Sequence, residues 1–122
     1  MTNASDRLRV GFIGATGRWG PTGHIPAIQQ LAETELYAVC TAHEETARAA
    51  SEKYSVELGY HNDKTMAANP RVEAVAVVVR VPAHYELTKN ALEAGKHVYC
   101  EWPLGANLKE TEELAVLARE KK

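Results

Sequence analysis

No stretch of this chain approaches the roughly 18 consecutive apolar residues that a bilayer-spanning helix demands, and the polar start MTNASDRLR has no hydrophobic signal-peptide core. A membrane partner is therefore not expected, and a cytoplasmic location is the default reading. An excess of one charge is missing as well. Lysine and arginine number 14 against 16 aspartates and glutamates, a net charge of −2, so the broad basic surface that direct nucleic-acid binding needs is not there. A single phosphate site stays open, because a helix N-terminus binds an anion without any net positive charge. Cysteine is scarce: Cys40 and Cys100 each end an apolar run, form no C-x-x-C pair and share no ligand-like spacing with the five histidines. Buried free thiols on strands, no disulfide and no metal are the expectations. Repeats and low-complexity linkers are also absent. What remains is 122 residues, 45% hydrophobic and 25% charged, the composition of one soluble globular domain long enough to bury roughly two thirds of its unfolded surface.

Short β-rich runs alternate with helical spacing along the chain. Residues 8–13 form a strand candidate that stops at a glycine cluster, and residues 25–32 follow with Ile25, Ile28, Leu31 and Ala32 on one helical face. Strand 36–40, an alanine-rich helix over 44–54 with Thr41 or His43 near its start, a weak strand at 58–60 and a short helix ending at Asn69-Pro70 come next. Residues 74–79 are apolar without alternation, as a central parallel strand covered on both faces requires. A helix over 84–94 closed by Gly95, a strand over 96–100 and an amphipathic helix over 108–121 with Leu114, Leu117 and Ala118 inward complete the string. The charged run 109–122 reads as a solvated helical face and His97 as a packed or edge histidine within its strand. Five β–α repeats of this kind predict a three-layer α/β domain, a doubly wound parallel sheet with strand order 3-2-1-4-5.

The first strand-to-helix junction carries Gly14-Ala-Thr-Gly17-Arg-Trp-Gly20. Glycines at such a junction let the backbone turn tightly and approach a diphosphate, while the helix start supplies N–H donors. The spacing is G-x-x-G-x-x-G and not G-x-G-x-x-G, since Thr16 and Trp19 stand where the second and third glycines belong. Two loops fit: the GATGxxG loop of atypical short-chain dehydrogenases, or a lengthened loop of another Rossmann family. The short-chain enzymes need Tyr-x-x-x-Lys. Tyr60/Lys64 and Tyr85/Lys89 satisfy it, but both fall much too early in the chain for that family's catalytic helix.

Residues 84–103 decide between them. His84-Tyr-Glu-Leu-Thr-Lys-Asn-Ala-Leu-Glu-Ala-Gly95 runs into Lys96-His-Val-Tyr-Cys-Glu101-Trp102-Pro103, and this block resembles the Gfo/Idh/MocA oxidoreductases, with their H-x-E, A-L-E-A-G-K-H-V and E-K-P. His24-Ile-Pro-Ala-Ile28 is similar to the family's H-x-x-A-[LI]. The likeness covers essentially the whole chain but only the N-terminal half of a family member. It implies an NAD(P)-binding Rossmann domain (residues 1–122) whose substrate domain, for sugar- or polyol-like compounds, is absent. It also implies that the loop from Gly14 through Thr16, Gly17, Arg18 and Trp19 to Gly20 lines the pyrophosphate. By the same likeness, Val79-Arg80-Val81 approaches the nicotinamide and Glu101 its ribose.

Two departures bear on function. Trp102 replaces the lysine that helps the family bind and polarise substrate, and indole has no positive charge to offer. The family's T-P-N after the fourth strand is Val79-Arg80-Val81. Glu101-Trp102-Pro103, the long glycine loop and the A-H-Y-E helix start together resemble the branch that holds a fungal galactose-pathway repressor and its oxidoreductase-like relatives. A non-catalytic dinucleotide-binding regulator therefore stands beside the hydride-transferring oxidoreductase as a reading. No catalytic residue is expected in this chain, and the fragment alone should bind cofactor weakly and turn nothing over. Thr41 occupies the position where an NAD site keeps a carboxylate. A threonine there does not repel a 2′-phosphate and its hydroxyl can donate to one; His43 and Arg18 add positive charge nearby, so NADP is favoured over NAD. Glu44 and Glu45 oppose this unless they face solvent. His84 is read either as helix-start packing or as a cofactor or substrate contact. Trp19 is read either as a cover over the cofactor or as a contact for a second domain. Association into a homo-oligomer stays open.

Overall fold

A computed structural model describes residues 6–121, so the first five residues of the polar start and Lys122 at the end of the charged run lie outside it. Eleven elements follow one another. Strand β1 (Leu8–Ile13) leads through a wide π-helical turn (Gly20–His24) into α1 (Ile25–Gln30), then β2 (Thr34–Cys40), α2 (Glu44–Lys53), β3 (Leu58–Tyr60) and α3 (Asp63–Ala67). The second half comprises β4 (Ala74–Val77), α4 (Val81–Glu93), β5 (His97–Cys100) and α5 (Leu108–Lys121). All strand pairs are parallel and the order is β3-β2-β1-β4-β5, as the β–α alternation requires. Among the described residues, no helix is long and apolar enough to cross a membrane.

Strands β1 and β4 carry the fold because both their faces are covered. On one face Val10, Phe12 and Ala76 pack with Ile25 of α1 and Ala50 of α2. On the other, Ile13, Val75 and Val77 pack with Met66 of α3 and Ala91 of α4, and α5 lies against α4. The apolar run after Glu73 has no polar alternation for this reason: Val75, Ala76, Val77 and Val78 are all buried. The pairing of β4 proper stops at Val77, two residues before the apolar run ends, although Val78 N–H still donates to Ile13 O at 3.0 Å.

Several boundaries differ from the sequence expectation, each for a local reason. Helix α4 begins at Val81 and not at His84, because Pro82 sits in its first turn, where a missing N–H is harmless. It ends as expected: Gly95 takes φ +79°, its N–H bonds Leu92 O at 2.9 Å and Lys96 N–H bonds Ala91 O at 3.1 Å, a Schellman closure. Helix α1 stops at Gln30. Leu31 turns extended and is half exposed, so only Ile25 and Ile28 of the expected stripe point inward. On α5, Leu114 is buried and Leu117 half-buried, whereas Ala118 faces solvent. Cys40 is buried as expected, but Cys100, on an edge strand, is only partly so.

Gly14 and Cys40 mark the exits of β1 and β2. Gly14 has φ +104°, and a Cβ there would stand 1.9 Å from Val78 O. Gly14→Ala should therefore lower stability by about 2 kcal/mol or more, read as a shift of the urea midpoint; an unchanged midpoint would contradict the contact. Burial, reinforced by the Asp63 carboxylate, pushes the Cys40 thiol up to about 12. At pH 8 Cys40 should stay unlabelled by a thiol reagent until the chain is unfolded, and rapid native labelling in a Cys100→Ser background would refute this.

Candidate functional site

The strand order reverses between β1 and β4, and loops leaving their carboxyl ends diverge to open a crevice, the usual ligand position in a doubly wound sheet. Glycine shapes its floor. Gly14 N–H donates to Cys40 O at 3.2 Å and Gly17 N–H to Gly14 O at 3.0 Å, folding the loop back on itself. Gly20 is buried, and a Cβ on it would meet Gly14 O and the Phe12 ring, both at 2.8 Å. Gly14 thus brings the loop against the β4 exit, and Gly20 brings the helical start down onto β1.

Two open crevices flank this floor and share Gly17, Val78, Val79 and Arg80. The first, of about 420 Å³, is bounded by Gly14 and Thr16, by Thr41 and Ala42 at the end of β2, and by His61 and Asp63 beyond β3. The second, of about 610 Å³, is bounded by Arg18 and Trp19, by the start of α4 including His84, and by Glu101 and Trp102 after β5. Most residues expected at a site from sequence therefore do come together. Three do not line either crevice: Gly20 lies beneath the loop, His43 is exposed at the start of α2, and Pro103 is half-buried behind Trp102. His61, Asp63 and Ala42 were not anticipated. Their position one to three residues past a strand end, on the carboxyl edge of the sheet, is the signal that finds them.

The hydrogen bonds assign work to several of these side chains. Thr41 is buried; its hydroxyl donates to His43 O at 2.9 Å and accepts from the Thr46 hydroxyl at 2.7 Å. Its single proton is committed within the protein, which corrects the expectation that it is free to donate to a phosphate. Glu44 and Glu45 are exposed, and Glu44 pairs with Arg48 at 3.7 Å on the helix surface. Asp63 accepts from the Asn90 amide at 2.9 Å. His84 is 1% exposed. Its Nδ1 lies 2.8 Å from Pro103 O and its Nε2 2.9 Å from Val79 O, so one ring bridges the two turns that wall the second crevice. His84 packs in the first turn of α4 and borders the second crevice.

Across the mouth, the Arg18 guanidinium lies 5.4 Å from the Trp19 ring centroid. Trp19 is 59% and Trp102 91% exposed. The Trp102–Pro103 peptide is cis. His24 lines neither crevice, but its Nε2 meets Oε2 of Glu101, which lines the second, at 3.1 Å, a contact that sequence reasoning missed because it joins residues 77 apart. The Tyr-x-x-x-Lys pairs serve elsewhere. Tyr60 OH accepts from Asn69 at 3.1 Å, and Tyr85 OH donates to Glu113 at 2.6 Å, a bond that raises the Tyr85 phenol above its ordinary value. None of the four residues lines either crevice. Among the described residues, no group of three or more His, Cys, Asp and Glu side chains is arranged to hold a metal ion. His97 is exposed on the edge strand β5.

Comparison with known proteins agrees with this geometry. Residues 8–122 match the model of an oxidoreductase family with an NAD-binding Rossmann fold, Gfo/Idh/MocA. Dehydrogenase aclE of Aspergillus oryzae is 37% identical over 96% of this chain and 34% of its own length. Myo-inositol 2-dehydrogenase of Thermotoga maritima is 35% identical over 88% of this chain and 31% of its own length. The galactose/lactose metabolism regulatory protein GAL80 of Kluyveromyces lactis is 29% identical over 97% of this chain and 28% of its own length. Among solved structures, KijD10, a 3-ketoreductase from Actinomadura kijaniata in complex with TDP-benzene and NADP, superimposes with a TM-score of 0.87 at 29% identity, covering 94% of this chain and 36% of that one. The chain thus spans about a third of the length of these relatives. By its strand order, its glycine junction and its match from residue 8 onward, it belongs to the Gfo/Idh/MocA oxidoreductase family and forms that family's NAD-binding Rossmann domain.

Proposed function

We propose that this domain binds NADP across its two crevices and serves an oxidoreductase that transfers hydride between the nicotinamide and a sugar- or polyol-like substrate held by a further domain. One observation carries the reading: the crevices meet over Gly17 and residues 78–80, so a ligand with two bulky ends and a narrow anionic middle fits with its middle against backbone. The fit depends on hydrogen standing where a side chain would be, at Gly14 above all. The redox chemistry belongs to the dinucleotide, and the protein supplies binding and orientation. On this reading the Gly14–Gly17 turn holds the diphosphate, Thr41, Ala42, His61 and Asp63 surround the adenosine half, and Glu101 accepts from a hydroxyl of the nicotinamide ribose. Trp102 offers a flat apolar surface to the substrate and no proton, so the acid–base group comes from outside this chain.

The preference for NADP rests on what Thr41 is not. A carboxylate at the end of β2 would repel a 2′-phosphate, and none is present there. Arg18 lines the second crevice and His43 lines neither, so the preference does not draw on their charge. KijD10, which was solved with NADP, supports the same choice. The cytoplasm is the setting this reading assigns, with assembly of like subunits compatible with it.

A regulatory role is the second reading, favoured by Trp102 in place of a cation and by the likeness to GAL80. It keeps the dinucleotide site and drops the chemistry. Calorimetric titration of the chain should show NADP binding more tightly than NAD, and the reverse order would remove the Thr41 argument. Thr16→Glu, an exposed position on the first crevice, should weaken dinucleotide binding about tenfold through charge repulsion while shifting stability by less than about 0.5 kcal/mol. Absorbance at 340 nm separates the two roles. Reduction of NADP by polyols in the full-length protein supports the enzyme, and binding without turnover across the panel supports the regulator. Turnover by the 122-residue chain alone would contradict both.

A further inference from the structure

We propose that His24 is a positioning residue that sets the Glu101 carboxylate on the lining of the second crevice before any ligand arrives; this rests on the reading that a nicotinamide riboside half lies there. Three features fix the imidazole. Its edge meets the Tyr99 ring at 5.5 Å and 63° on β5, its other side faces Phe12 of β1 at 6.3 Å, and Nε2 reaches Glu101 Oε2 at 3.1 Å. The backbone is shaped to deliver it. Ile25 N–H bonds Gly20 O, five residues back, so Gly20–His24 is a π turn carrying one residue more than an α turn. Removing that residue would rotate every later side chain by about 100° around the axis, and π turns recur where a side chain must be re-aimed for function.

Glu101 is held from its other end as well, since its N–H bonds Val77 O at 3.3 Å. With the backbone anchored and one carboxylate oxygen engaged, the second oxygen, Oε1, is left to accept from a ligand hydroxyl. The pair is about a quarter exposed, at 29% for His24 and 25% for Glu101, so solvent screens it and it adds little to stability. Its contribution is preorganisation: an unrestrained glutamate loses side-chain freedom on binding, and one already fixed does not. Arg18 and Arg80 line the same crevice, so an unrestrained Glu101 would also have cations to turn towards. The carboxylate therefore needs a partner on its own side to stay aimed at a sugar hydroxyl.

The test separates the two ends of the ligand. Wild type, His24→Phe and His24→Gln are each titrated with NADP and 2′,5′-ADP, and with NAD and AMP. His24→Phe should weaken the complete dinucleotide that binds by about tenfold, yet leave its adenosine half within about twofold, which also reports that the variant is folded. His24→Gln keeps an N–H donor and should recover most of the loss. In a Glu101→Gln background, His24→Phe should have no further effect. Equal loss for the dinucleotide and its half, or no loss for either, overturns the inference while leaving the dinucleotide site standing. Failure of folded wild type to bind either dinucleotide overturns the site itself and this inference with it.

Discussion

The contact on which the rest of the structure depends is backbone against backbone: the chain leaving β1 at Gly14 lies so close to the Val78 carbonyl that not even a methyl group fits between them. It holds together the exits of two strands that are neighbours in the sheet but 64 residues apart along the chain. Because the exits are pinned, the loop over 14–20 and the turn over 78–80 diverge from one point, and space opens on both sides of it. The two crevices are the geometric result. A larger residue at 14 would force the strand exits apart and merge, tilt or close that space.

Much of this was legible before any coordinate. The uninterrupted apolar run ending in Val77, Val78 and Val79 belongs to an inner parallel strand for a reason that does not depend on context: a face with no polar residue must be covered. Gly95 closes α4 for an equally local reason, its positive φ. Legibility fails where the outcome depends on distant parts of the chain. The exposure of Leu31 and Ala118 depends on which neighbours reach them, and the start of α4 on whether Pro82 is taken as a break or as a first turn. Within the site, the types of residue were readable but not their partners. Glu101 was placed by resemblance; the imidazole beside it belongs to a motif read only as a family marker. His61 and Asp63 carry no motif, and only the sheet brings them to the first crevice.

The outer wall of the second crevice departs from the lysine that the family resemblance implies at position 102. Two exposed indoles, one of them with the Arg18 guanidinium 5.4 Å from its centroid, give this wall aromatic faces and a cation. Such a surface suits the face of a ring more than an isolated carbonyl oxygen. Beneath it, the buried His84 ring joins the carbonyls of Val79 and Pro103, so the inner part of the wall is held while Trp102 projects outward. An oxidoreductase with its acid–base group elsewhere and a regulator without one both fit this division between a held interior and an open rim.

Thr41, Thr46 and the His43 carbonyl close the turn that launches α2, so a change at 41 disturbs a helix start as well as a crevice wall. Ala42 borders the same crevice and is exposed, with a methyl group in place of a hydrogen-bonding side chain. An acid or a base can therefore be introduced at position 42 without disturbing the scaffold, whereas the same change at 41 would also undo the start of the helix.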